Sequence, residues 1–167
     1  MNGVEMLCVR CGLCCDGTLF ADVELRRGDD PQALRKLEMP LFEKRPGKWA
    51  FAQSCQCFDG THCRIYEDRP RRCRTFECGL LKKLDKGEVT ASEALRKIAS
   101  AKRLARKTWA LLAAEGHPQG GAPLSHSYRE AMAAPVDLSD PEAADRRGEL
   151  MMAANELMQW VQRHFLA

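Results

Sequence analysis

Residues 8–15 read Cys8-Val9-Arg10-Cys11-Gly12-Leu13-Cys14-Cys15, four thiols in one short stretch. A Cys-x-x-Cys step puts two sulfurs on one turn, within reach of a single metal ion, and Cys14 adds a third donor at the same spacing. Cys15 leaves the backbone in a different direction from Cys14, so it is free to reach a neighbouring ion or to bridge. A second group answers the first: Cys55, Cys57 and Cys63 in CQCFDGTHC, then Cys73 and Cys78. All nine cysteines fall before residue 79, and all nine are candidate metal ligands. One tetrahedral site takes four donors, so the set allows two such sites with a thiol to spare, or one polynuclear site.

The chain of 167 residues is long enough to bury a hydrophobic core, so the cysteines need not rescue an undersized fold. Its 45% hydrophobic and 29% charged content is that of an ordinary soluble globular protein. No apolar run approaches the roughly 20 residues of a membrane span. MNGVEMLCVRC lacks a basic leader followed by an apolar stretch, so the expected location is cytoplasmic. A reducing compartment and an odd cysteine count favour metal ligation over a disulfide framework. The net charge of +3 is small, but residues 64–107 hold 14 Lys/Arg against 6 Asp/Glu, whereas residues 108–167 hold 4 against 8. Four thiolates on a divalent ion carry a formal −2, so part of the positive excess offsets the metal region.

Read in order, residues 1–20 form an irregular loop around the ligands, with Asp16 a solvated residue or an outer ligand. Asp29, Asp30 and Pro31 open a short helix that buries Leu34 and Leu37 and ends at Pro40. Pro46 and Gly47 turn the chain into KWAFAQ, where Trp49 and Phe51 alternate as in a strand and cover the metal region. Asp59-Gly60 marks a hairpin that brings Cys57 and Cys63 together, with His62 a turn residue or a further ligand. Arg69-Pro70 begins a helix carrying Cys73, and Gly79 bends or stops it.

The second half is helical by pattern. Thr90 and Glu93 make a capping box, and Leu95, Ile98, Ala105, Trp109 and Leu112 mark the apolar side of a helix that breaks at Gly116. Lys97, Lys102, Arg103, Arg106 and Lys107 lie on its other side, a solvated face first and a nucleic-acid or acidic-protein contact second. Ser127 and Glu130 open a short helix to Met132. Ser139 and Glu142 cap a last helix whose stripe Leu150, Ala154, Leu157 and Val161 is widened by Met151, Met152 and Met158 as packing residues.

The run Cys8-x-x-Cys11-Gly12-x-Cys14-Cys15, followed by Cys57, Cys63-x-Ile65-Tyr66-x-x-Arg69-Pro70-x-x-Cys73-Arg74-x-Phe76, resembles the CxxCxxCC family of zinc- or iron-chelating domains, the YkgJ-type cysteine cluster proteins. The resemblance covers about residues 8–78. It implies metal binding through Cys8, Cys11, Cys14, Cys15, Cys57, Cys63 and Cys73, with Cys78 common among relatives and Cys55 a local addition. Similar cysteine patterns in flagellin lysine methylases bring in an iron–sulfur cluster as an implied alternative.

The expected architecture is a small α+β fold: a metal-stapled loop and hairpin region over residues 1–84, with helices over 85–167 packed on it as one compact domain. The expected cofactor is Zn2+, with iron or an iron–sulfur cluster as the alternative and room for more than one ion. The expected function is thiolate metal binding in a structural, storage or delivery role. Two alternatives accompany it: an iron-dependent or iron–sulfur redox or transferase-like enzyme, and a metal-stabilised module for nucleic acid or a protein partner. Asp16, Asp59, His62, Glu67 and Asp68 are the acids and bases at hand for catalysis, and none stands at a spacing that demands it. Arg69, Arg72 and Arg74 neutralise the metal region or bond to backbone in preference to gripping a substrate anion.

Overall fold

Two stretches of the chain bury apolar residues with different periods, and each builds its own core. The computed structural model describes residues 3–167, with side chains described from Leu7 onward. Residues 1 and 2 of the expected opening loop lie outside this range.

The helical core grows around α5, Ala91–Ala114. Thr90 accepts from the Glu93 N–H while the Glu93 carboxylate accepts from the Thr90 N–H, the capping box read from the sequence. Ile98, Leu104, Ala105, Trp109 and Leu112 are buried along one side. Helix α7, Pro141–Val161, packs along α5 and buries Leu150, Ala154, Leu157 and Val161. It ends in a π-helical turn, Gln162–Leu166, that buries Phe165. Helix α6, Leu124–Ala133, closes a further side of α5.

The second core lies under a three-stranded antiparallel sheet of β1 (Asp22–Glu24), β2 (Leu41–Arg45) and β3 (Lys48–Ala52), in the order β1-β3-β2. Val23 and Leu41 both stand opposite Phe51 in the central strand. Pro46 and Gly47 make the β2–β3 turn as expected. Helix α2, Pro31–Lys36, begins at Asp30, whose Oδ1 accepts from Gln32 N–H at 2.8 Å and Ala33 N–H at 3.2 Å. Leu34, Met39, Val23, Leu25, Phe51 and Cys57 make one buried cluster here.

Several expectations change. Residues 3–11 form helix α1, Gly3–Cys11, instead of irregular loop, so Cys8 and Cys11 stand one turn apart on its last turns. Gly12 ends it at φ 70°, and its missing side chain leaves room for the Phe58 ring, which a Cβ would strike. Helix α2 stops well before Pro40: Glu38 takes φ 64° and Met39 N–H returns to the Leu34 carbonyl, which leaves Leu37 only half-buried. Cys73 lies on α3, Arg71–Thr75, which Phe76 ends, and Gly79 opens a new helix, α4, Gly79–Asp85. Helix α6 starts at Leu124, with Ser127 buried inside it as packing. The cap of α7 is Asp140, because Ser139 turns its N–H and hydroxyl back to Asp137. Met151, Met152 and Met158 are 51%, 70% and 66% exposed, so they lie outside the packed stripe. The α+β class stands.

Candidate metal centre

The cysteines lie where the two cores meet. Leu13, 1% exposed, points from the middle of the first motif into the helical core and holds the turn after α1 in place. Two short hydrogen bonds then tie that turn to the segment after β3, and a third ties that segment to the residue before β1. Ser54 Oγ donates to the Asp16 carbonyl at 2.7 Å, Cys55 N–H donates to the Cys15 carbonyl at 2.7 Å, and Gln53 N–H reaches Ala21 at 3.0 Å. Cys15 and Cys55 are thereby set side by side.

The expected hairpin forms. Phe58 and Cys63 are bridged as an antiparallel pair, Arg64 N–H donates to the Cys57 carbonyl at 2.8 Å, and Asp59 N–H donates to His62 at 3.0 Å. The Asp59 carboxylate accepts from Thr61 N–H, Thr61 hydroxyl and His62 N–H, which together hold its pKa down to about 2. That carboxylate is spent on the turn. His62 is exposed and its Nδ1 pairs with Thr61 Oγ1 at 2.9 Å. Asp16 Oδ1 accepts from Thr18 N–H at 2.8 Å, and burial raises its pKa despite that bond.

Asp29 is a positioning residue that sequence reading missed. Its Oδ2 accepts from Arg26 N–H at 2.7 Å and its Oδ1 accepts from Arg71 N–H at 2.8 Å, so it fixes the start of α3 and with it Cys73. Next to a helix-capping Asp30 it looks like part of the same cap. Only the contact across 42 residues reveals its second duty.

Every described cysteine is free. Burial, with neighbouring thiols adding to it, pushes Cys11, Cys15 and Cys73 up to about 12 and Cys55 to about 11. Cys14 is raised well above its ordinary value by burial, and Cys8 and Cys57 are raised as well. Without a cation these thiols hold their protons at neutral pH, so they are poor nucleophiles on their own. A bound metal ion reverses this, because coordination ionises the thiol. The donor set therefore fits zinc or iron, both of which accept thiolate sulfur. Among the described residues, no three His, Cys, Asp or Glu side chains are gathered tightly enough to grip an ion as they stand.

Arg69 sits between the two cysteine groups. Its Nε donates to the Tyr66 carbonyl at 2.7 Å, its guanidinium lies 3.5 Å from the Tyr66 ring centre, and its charge favours ionisation of both Cys8 and Cys73. Trp49, expected to cover the metal region, is half-buried with Arg35 stacked 4.3 Å from its ring. On α5, Lys102 donates to the Arg10 carbonyl at the end of α1 at 3.1 Å, and Lys107 pairs loosely with Glu149 at 3.8 Å. Arg103 and Arg106 remain exposed.

A cleft of about 700 Å3 opens beside the thiols. Cys8, Cys14, Cys15, Cys55, Cys63 and Cys73 line it, together with Phe20, Phe58, Tyr66, Phe76, Arg26 and Arg72. His62 and Glu67 also face it, whereas Asp68 and Arg74 lie outside it. Among the described residues no helix is long and apolar enough to cross a membrane.

No curated protein and no solved structure matches the chain. A family model does match, over residues 7–99, which is more than half of the sequence and runs past the last cysteine through α4 into α5. The chain belongs to the CxxCxxCC family, described as a putative zinc- or iron-chelating domain.

Proposed function

We propose that this protein holds zinc or iron through its cysteine thiolates, and that the ions act first as structural staples of the loops and short helices where the two cores meet. One observation carries the reading. The cysteines come from α1, the turn after it, the segment after β3, the hairpin, α3 and the start of α4, and they lie between two separate hydrophobic clusters. Loop-rich backbone of this kind has few ladder hydrogen bonds, so ions joining distant stretches supply folding energy directly.

Bound zinc would supply fixed tetrahedral links, and bound iron would add a redox-active centre. The chain's own contribution is to half-bury most of the cysteines, to place the Arg69 charge beside Cys8 and Cys73, and to hold the hairpin through Asp59. Storage and delivery need ions that exchange freely. The staple reading instead expects ions that resist chelators until the protein unfolds.

The test is metal analysis of anaerobically purified protein with its visible spectrum, followed by chelation monitored by circular dichroism. Colourless protein with whole-number zinc, unfolding as metal is stripped, supports the staple. Full loss of metal with the fold and thermal midpoint unchanged refutes it.

A second reading, an iron or iron–sulfur redox or transferase-like enzyme, is favoured by the cleft. Its volume of about 700 Å3 far exceeds what an ion needs, given that a water takes roughly 30 Å3, and lies in the range of small-molecule sites. Brown protein containing iron and sulfide would move this reading ahead.

A further inference from the structure

We infer that the thiols form two four-cysteine sites, Cys8, Cys11, Cys14 and Cys78 in one and Cys15, Cys55, Cys63 and Cys73 in the other, with Cys57 a packing thiol outside both. The division rests on the thiolate metal-binding reading above. It departs from the family motif, which takes Cys57 as a ligand and leaves Cys55 as an addition.

The first set is built on helices. Cys8 and Cys11 share the last turns of α1, Cys78 is the N-cap of α4, and α4 packs on α1. Cys11 and Cys78 rest against the helical core. The second set is built on the sheet side: Cys55 is hydrogen-bonded through its N–H to Cys15, Cys63 sits on the hairpin, and Cys73 on α3. Cys55, Cys63 and Cys73 pack against the sheet core. The two sets divide at the Cys14–Cys15 peptide.

Electrostatic neighbours agree with this layout. Cys78 weighs on Cys8, Cys11 and Cys14, whereas Cys55 and Cys63 weigh on Cys15 and Cys73; across the division, the adjacent Cys15 also weighs on Cys14. Cys57 is 1% exposed and belongs to the sheet core itself. It hydrogen-bonds with Cys55 and lies near enough to Cys55 and Cys63 to feel their charge, but it is not among the thiols that weigh most on Cys15 or Cys73. Access is unequal too. All four thiols of the second set line the cleft, against only Cys8 and Cys14 of the first. Cys8 is the one exposed cysteine of the nine, but only the second set opens all four thiols to the cleft together, so its ion is expected to leave first when a chelator is added.

Native mass spectrometry of the full chain reconstituted anaerobically with zinc alone tests the division. The wild type is expected to hold two ions, Cys57→Ser two, and Cys55→Ser and Cys78→Ser one each. Loss of an ion in Cys57→Ser, or retention of both in Cys55→Ser, overturns the division. A wild type that folds without binding any ion sinks the metal-binding reading instead. Because a serine variant can fail to fold, the wild type loaded with 113Cd gives a second test. Two cadmium signals, each correlated with the β-protons of one set of four, support the division, and mixed sets or a single shared signal refute it. In Cys78→Ser the remaining ion should be the one that chelator removes early from the wild type. The reverse order overturns the assignment of the exposed site.

Discussion

Leu13 offers a way to separate packing from coordination at the metal region. It carries no sulfur, stands between Cys11 and Cys14, and is 1% exposed within the helical core, where Leu7, Leu80 and Leu81 are also buried. Leu13→Ala removes buried methyl groups and leaves a cavity, at a cost of about 2–5 kcal/mol. Against a total stability of about 5–15 kcal/mol for a domain, that is a large fraction. With a urea slope of about 2 kcal/mol/M, the unfolding midpoint should fall by roughly 1–2.5 M. The assay is urea unfolding of zinc-loaded protein, with Leu138→Ala as control, since Leu138 is 80% exposed and its loss should stay within about 0.5 kcal/mol. The zinc content of the folded variant should equal that of the wild type. A midpoint shift no larger than the control's would refute the claim that Leu13 pins the cysteine turn to the helices.

Gly79→Ala should destabilise although alanine normally improves a helix, because its Cβ would meet the carbonyl oxygens of Ala167 and Phe165 and unseat the buried Phe165. Gly148→Ala on α7, with nothing near its Cβ, should stabilise by about 0.5–1 kcal/mol; equal signs in thermal unfolding would contradict the packing described. Arg147 donates to Glu115 and to the Ala134 carbonyl, both at 3.2 Å, from a largely buried side chain. Arg147→Ala should cost about 1–3 kcal/mol in urea unfolding, and a change below 0.5 kcal/mol would dismiss the junction as decorative. His164 packs at a tilt against Trp160, ring centres 4.4 Å apart, and burial followed by the charges of Lys97, Arg163 and Lys83 lowers its pKa below the usual 6.5. A lowered histidine pKa means that the unfolded chain takes the proton first, so its stabilising contribution is complete above about 6.5 and is lost as pH falls through the folded value. An NMR titration should place the midpoint below 6.5 and move it upward with salt; a midpoint at or above 6.5 would refute the direction.

The sequence by itself determined the thiol chemistry and much of the secondary structure. Nine cysteines with Cys-x-x-Cys spacing, the Thr90–Glu93 box and the Asp59-Gly60 turn act over a few residues, and local signals of that range survive folding. Tertiary structure decided what depends on distant partners. Whether Met152 is packed or exposed follows from how α7 rolls against α5, and periodicity leaves that roll free within a residue or so. Asp29 holds α3 from 42 residues away, and Gly79 is needed because the end of the chain folds back onto it. Cys14 and Cys15 are neighbours in sequence, yet they face different thiols because Leu13 anchors the turn to one core while Cys55 hydrogen-bonds it to the other. Spacing tells how many sulfurs a turn can offer; only the meeting of two separately packed cores decides which sulfurs share a place.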